Sequence, residues 1–141
     1  MASSFSAGWL GRTEWVVERA LDGLSLRSRV RANNIAHADT PHFKRSDVPF
    51  EAALRQALDG SSSRLPLMRT HPDHLPKSTP PPGSFAPVVD HTTRMRNDGN
   101  NVDIEAEMAN LARDQLWYEA LTTGLSNRFA RLRQAIEEGR R

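Results

Sequence analysis

The fold of this chain is decided by residues 101–141, whose sequence is NVDIEAEMANLARDQLWYEALTTGLSNRFARLRQAIEEGRR. Mostly apolar side chains recur here at alternating steps of four and three residues, which is the period of a coiled-coil seam and not of a strand. The line comprises Ile104, Met108, Leu111, Gln115, Tyr118, Thr122, Leu125, Phe129, Leu132 and Ile136. Asp103 is suited to cap the start of this helix. We therefore predict one long helix that buries a face against another long helix, either of this chain or of a neighbour.

A second long helix is predicted over about residues 9–35. Its packing line, at helical spacing, contains Leu10, Val17, Leu21 and Leu24. At a rise of 1.5 Å per residue this helix would measure about 40 Å and the C-terminal one about 50 Å. The first helix therefore cannot cover the whole of the second, and we expect the uncovered apolar surface to contact other subunits.

Three arginines occupy alternate positions near the end of the N-terminal helix. Because Arg27, Arg29 and Arg31 are two residues apart, they spread around a helix and form no single stripe. We interpret them as a solvated or partner-facing helix end. They are also the sole basis for a nucleic-acid-binding alternative, which a formal net charge of only +2 disfavours.

The segment between the two helices is predicted to be irregular. All nine prolines lie between Pro41 and Pro87, and prolines exclude a long helix there. A firm stop follows the first helix, and Asp47 begins a short amphipathic helix that ends at Gly60. Two runs, 65–68 and 86–89, can be extended at a sheet edge. A turn at 97–100 precedes the C-terminal helix.

The predicted fold is thus mostly α. Long N- and C-terminal helices pair as a coiled-coil-like hairpin around a proline-rich middle with a short helix. We divide the chain into three parts of one structural unit, residues 1–40, 41–100 and 101–141.

The sequence offers no candidate for catalysis or for a cofactor. The chain has no cysteine, which excludes disulfides and thiolate chemistry. The pair His71 and His74 lacks the helical frame of a metal site, and no phosphate-binding loop or nucleophile elbow occurs. No run is long and apolar enough to cross a membrane, and the first residues lack the features of a cleaved signal peptide. We expect a protein that is not an enzyme and binds no cofactor or metal.

Residues 34–44, NIAHADTPHFK, resemble the Asn-Ile-Ala-Asn-x-x-Thr-Pro-Gly-Tyr-Lys signature of the flagellar rod, hook and hook-associated proteins. The residues of this family motif are Asn34, Ile35, Ala36, Asp39, Thr40, Pro41 and Lys44. His37, His42 and Phe43 depart from the usual Asn, Gly and Tyr. The departure at His42 matters most, because glycine there would permit a positive φ that histidine adopts less readily.

Two further segments resemble the proximal rod subunits of this family. One is residues 70–75, THPDHL, and the other begins at Gly99 and continues into the C-terminal helix. The matching C-terminal residues are Asn100, Asn101, Val102, Asp103, Glu105, Glu107 and Met108. The three segments together extend over most of the chain.

The resemblance implies a structural subunit of the flagellar rod that transmits torque. Such subunits pair their terminal helices into the inner layer of a tube, pass through the flagellar type III export apparatus without a cleaved signal, and assemble in the periplasm. Expected partners are further copies, other rod subunits and the membrane-ring and export-gate base, but neither nucleic acid nor a lipid bilayer. The expected assembly seam comprises Leu10, Val17, Leu21, Leu24, Ile104, Leu111, Tyr118, Leu125, Phe129, Leu132 and Ile136. The alternative is a cytoplasmic helical-hairpin adaptor or regulator that binds one partner helix through the same seam.

Overall fold

The computed structural model describes residues 9–58 and 84–139, and most of these residues are helical. The elements in chain order are α1 (Trp9–Ala36), β1 (Ser46–Asp47), α2 (Phe50–Leu58), β2 (Val88–Val89) and α3 (Ile104–Glu138). The predicted fold, with two long terminal helices and a short helix between them, is confirmed.

The helix boundaries follow local chemistry. Asp103 has extended backbone angles, and its carboxylate accepts the amide hydrogen of Ala106, so the predicted cap of α3 is confirmed. The helix α1 ends at Ala36 and gives way to turns, so the stop predicted after the first helix is confirmed. The predicted end of α2 at Gly60 lies outside the described residues. The run 65–68 and the paired histidines at 71 and 74 lie outside them as well.

The helices α1 and α3 pack antiparallel. Arg27 pairs with Asp114, while Glu14, earlier in α1, pairs with Arg128, later in α3. By this pairing the first described residues of α1 lie level with Leu132, so α1 runs along nearly all of the 35-residue α3. Only the last turns of α3 extend past α1. The apolar surface of α3 that α1 leaves uncovered therefore lies mainly on the faces of α3 that point away from α1.

The apolar core is small and centres on Phe50. Its buried members are Ala20, Leu24, Val48 and Phe50. A Cβ atom added at Gly23 would lie 2.5 Å from the Phe50 ring, so α2 can approach α1 this closely because residue 23 is glycine. The ring of Phe85 meets the Phe50 ring edge-on at 5.9 Å, which brings the segment before β2 onto the same core.

The two short strands lie in the middle of the chain, and β1 contacts the end of α1 through Asn34. They pair antiparallel, with Ser46 opposite Val89 and Asp47 opposite Val88. The predicted extended run 86–89 is thus confirmed at its last two residues. Among the helices of the described ranges, none has the length and apolar character that crossing a membrane requires.

Candidate functional site

Charged side chains occupy the buried positions where the second half of α1 faces the first half of α3. On α1 the buried line continues beyond Leu24 at steps of three and four residues, and on α3 the buried positions step through Glu107 and Asp114. Both helices therefore place polar residues where a coiled coil normally places apolar ones. We name as the joint cluster the residues Arg27, Arg31, Asn34, Arg45, Glu107 and Asp114.

Asp114 lies at the centre of the joint cluster and is fully buried. Arg27 donates two hydrogen bonds to its carboxylate, at 3.1 and 2.7 Å, and Arg31 donates a third at 2.7 Å. Arg27 also donates to Glu51 of α2 at 2.6 Å, and its guanidinium stacks 4.5 Å above the Phe50 ring. Burial by itself would lower the pKa of Arg27, but the hydrogen bonds to Glu51 and Asp114 outweigh it and raise the pKa. The buried charges are thus paired and hydrogen-bonded, as burial requires.

Glu107 forms the second centre and is 1% exposed. It accepts hydrogen bonds from Arg31 at 3.4 Å, from Arg45 at 3.2 Å and from the amide of Asn34 at 3.3 Å. The same Asn34 side chain donates to the carbonyl of Ser46 at 2.8 Å and accepts the Ser46 amide hydrogen at 3.0 Å. Asn34 therefore ties α1 to β1 and to α3.

Asn100 holds the turn that ends α1. Its side-chain amide donates to the carbonyls of His37, Ala38 and Thr40 at 2.9–3.1 Å, and its side-chain oxygen accepts the amide hydrogen of Val102 at 2.7 Å. One asparagine thus links three carbonyls of the turn after α1 to the backbone just before α3. The family motif and the C-terminal motif, distant in sequence, therefore meet here.

Asn101 makes the corresponding contact to the strands. Its side-chain oxygen accepts the Arg45 amide hydrogen at 2.7 Å, and its amide donates to the carbonyl of Asp90 at 2.9 Å. The carboxylate of Asp90 accepts hydrogen bonds from the hydroxyls of Thr92 and Thr93, then from the Thr92 backbone, and these hold the pKa of Asp90 far below its ordinary value. Burial opposes this shift but is outweighed.

Two cations of the motif region bind backbone and loop groups. Lys44 donates to the carbonyls of Gly99 at 2.7 Å and Thr93 at 3.2 Å. Arg96 donates to the carboxylate of Asp39 at 2.8 Å and to the carbonyl of Ala38 at 3.1 Å. Of the other motif residues, Val102 is buried and Ile35 half-buried, whereas Ala36, Thr40, Pro41 and Glu105 are exposed.

One of the residues that depart from the family motif has a backbone conformation that favours glycine. His42 has a φ of 62°, in the left-handed region that glycine adopts without strain. The turn is therefore the one that glycine would allow, and histidine adopts it at a cost. The ring of His37 stacks on that of Phe43 with centroids 4.7 Å apart, so these two departures contact each other.

The predicted seam of α3 divides between two faces. Leu111, Leu125 and Leu132 are half-buried. The other apolar members are more than a third exposed, and we name as the exposed row Ile104, Met108, Phe129 and Ile136. Tyr118 is 44% exposed. In α1, Leu24 is buried and Val17 and Leu21 are half-buried, while the side chain of Leu10 is outside the described part.

The predicted seam of α3 is only partly buried, because charged residues occupy part of the buried line of this helix. Glu107 and Asp114 are these residues of α3, since both are buried against α1. The interpretation of Arg27 and Arg31 as a solvated or partner-facing end was wrong for the same reason, since each pairs with an acid of α3. The spacing from Ala20 through Leu24 to these arginines continues the heptad, and that periodicity was the signal from which the cluster could have been found.

Relatives of this chain match it over most of their own length. Over 119 residues the chain is 41% identical to the flagellar basal body rod protein FlgB of Borrelia hermsii, covering 81% of this chain and 87% of the relative. The chain belongs to the FlgB family. FlgB of Bacillus subtilis is 33% identical over 124 residues, covering 88% of this chain and 92% of the relative. FlgB of Escherichia coli K12 is 28% identical over 127 residues, covering 86% and 91%. No protein-family model matches the chain.

Membership of the FlgB family gives the described surfaces a context. The relatives carry the name of a flagellar basal body rod protein and not of an enzyme. The expectation of a flagellar rod protein with a mostly helical fold is thereby confirmed. The joint cluster and the exposed row are accordingly considered below as features of a structural subunit.

Proposed function

We propose that this chain is a structural subunit of the proximal flagellar rod and that it assembles through its terminal helices into the drive shaft that transmits torque. The observation that carries the proposal is the exposed row, because Met108, Phe129 and Ile136 are 56, 54 and 65% exposed on one long helix. Tyr118, between Met108 and Phe129, is also 44% exposed, so apolar surface is exposed along the length of the helix, and such surface marks a site of contact with another molecule. In a rod, neighbouring subunits would cover it.

The joint cluster would fix the register in which α1 and α3 present this surface. Asp114 bonds both Arg27 and Arg31 only when the helices are aligned as they are, since a shift by one turn would leave it with one of the two arginines. Polar residues at buried seam positions are known to specify register at a cost in stability. A subunit that transmits torque needs such a fixed alignment, because slippage between its helices would absorb the twist.

The surroundings that we propose follow from the family and from the resemblance described above. The subunit would leave the cytoplasm through the flagellar export apparatus without a cleaved signal and take its place at the periplasmic base of the rod. Its neighbours would be further copies, other rod subunits and the membrane-ring and export-gate base. The expected partners include no nucleic acid and no lipid bilayer.

The test is to purify flagellar basal bodies from the bacterium that encodes the chain and to identify their proteins by mass spectrometry. We expect the chain in intact rods, at the level of a rod subunit. Its absence from intact rods would refute the proposal. A stable and discrete complex with a single cytoplasmic protein would instead support the helical-hairpin adaptor.

Matched substitutions connect the surface to assembly. Phe129→Asp places a charge on the exposed row, and we expect it to abolish motility while the isolated chain keeps its helix content. Ala130→Asp places the same charge one residue along, about 100° around α3, and should leave motility largely intact. Normal swimming of the Phe129→Asp strain would show that Phe129 faces solvent in the rod.

A further inference from the structure

A second surface feature lies between the two long helices, beyond the joint cluster. It is a groove of about 160 Å³. Its walls consist mostly of small or apolar side chains, namely Thr13, Val17, Ala120, Leu121, Gly124 and Leu125, with Glu14 and Arg128 at its edge. Thr13, Ala120 and Gly124 are exposed, so the groove opens to the surface.

No contact within the described residues explains the glycine at position 124. Glycine inside a helix costs about 1 kcal/mol relative to alanine. At Gly23 the reason is the Phe50 ring, which an added Cβ would strike, but a Cβ at Gly124 would meet no described residue within 4 Å. Glycine also serves where another molecule must approach the backbone closely. The space above Gly124 is therefore available to a group from outside the chain.

The chain itself carries a side chain of the right size on a different face. Apolar cavities of about 150 Å³ hold a benzene ring, so a phenyl group suits this groove. Among the described phenylalanines Phe129 is the one that is exposed, since Phe50 is buried and Phe43 and Phe85 are half-buried. Phe129 follows Gly124 by five residues, which places it about 140° around α3. A chain cannot insert this ring into its own groove.

We propose that the Phe129 ring of one copy of this chain seats over Gly124 in the groove of a neighbouring copy. The phenyl ring and the groove lie on different faces, so the contact is heterologous and leaves a free Phe129 at one end and a free groove at the other. Contacts of this kind propagate into closed cyclic or open helical assemblies, whereas a self-complementary contact would stop at a dimer. The inference rests on the proposed function and specifies the contact between copies in the rod.

Cross-linking in assembled rods tests the contact directly. The chain has no cysteine, so Phe129→Cys and Gly124→Cys can be introduced together as the only thiols. The two positions face apart on one helix and cannot form a disulfide within a chain, whereas a seated contact brings the positions of two copies within disulfide range. We expect mild oxidation of rods that contain the double variant to give a ladder of dimers, trimers and longer products. Each single variant should give only background.

The outcomes separate this inference from the proposed function. The double variant found in rods without a ladder would overturn the contact, and dimers from either single variant would overturn its heterologous geometry. Absence of the unsubstituted chain from rods would overturn both the proposed function and the inference.

A variant that fills the groove gives a second measurement. Gly124→Leu occupies the space from within and should lower the amount of chain in rods about tenfold, as the loss of an anchoring aromatic does at interfaces. Ala130→Leu, an exposed position of the same helix, is the control and should assemble normally. Circular dichroism of both purified variants checks that their helices are retained. Normal incorporation of Gly124→Leu would refute the seating of Phe129.

Discussion

Asp114→Asn tests whether the joint cluster holds the two long helices together. The substitution keeps the size of the side chain and removes the charge that accepts three hydrogen bonds from Arg27 and Arg31. Two guanidinium groups, 8 and 4% exposed, then share the remaining carboxylates. Breaking a buried ion pair by removing one partner typically costs about 3–5 kcal/mol. We therefore expect the free energy of unfolding to fall by about that amount.

Urea denaturation followed by far-ultraviolet circular dichroism measures this loss. For a chain of this size a slope of about 1–3 kcal/mol per molar urea converts the loss into a midpoint shift of about 2 M. Asp22→Asn is the matched control, because it removes an exposed aspartate whose contact with Arg19 is 3.4 Å long. Exposed pairs contribute about 0–1 kcal/mol, so the control should hardly move. An Asp114→Asn variant within 1 kcal/mol of the unsubstituted chain would refute the argument that these charges hold the register.

Three further predictions concern single positions. Gly23→Ala should lower the free energy of unfolding by about 1–2 kcal/mol, because overpacking against Phe50 exceeds the gain in helix propensity. Gly124→Ala should instead raise it by up to about 1 kcal/mol. Equal effects of the two substitutions in thermal melts would contradict the close contact between Gly23 and Phe50. His42→Gly should raise it by about 1 kcal/mol, since relief of the left-handed strain exceeds the entropy that glycine loses on folding, and a lower melting temperature would refute this. The threonine hydrogen bonds lower the pKa of Asp90, so its carboxylate stabilises the fold above its unfolded pKa of about 3.9, and this contribution is lost as the pH falls toward the folded pKa. Asp90→Asn should therefore lose less stability than the unsubstituted chain below about pH 4. Acid titrations followed by circular dichroism measure the difference.

The sequence was sufficient for the long elements because their signals are local. The step of four and three residues extends through all of α3, and the cap at Asp103 needs only its own neighbours. The stop after Ala36 was likewise visible from Pro41 and the polar residues before it. Each of these features depends on contacts within one turn of the chain.

The joint cluster could not be read in the same way because it depends on a pairing between distant residues. A search for apolar residues prefers Met108 and Phe129 over Glu107 and Asp114, since a lone charge belongs at the surface. What reverses this preference is the pair of arginines 83–87 residues earlier in the chain, which follow the same heptad on α1. Only a comparison of both helices with their charges included connects the two.

The apolar core is small and the joint cluster is buried, and both features bear on the proposed export and assembly of the subunit. Buried ion pairs contribute little net stability, because desolvation cancels most of their attraction, but they discriminate strongly against misaligned helices. A hairpin held in this way is specific in its alignment while remaining only marginally stable. Such a chain would unfold readily for passage through an export channel and would recover the same register afterwards. The exposed row adds its share of stability only when a neighbour covers it, so that assembly adds to the folding free energy of the isolated chain.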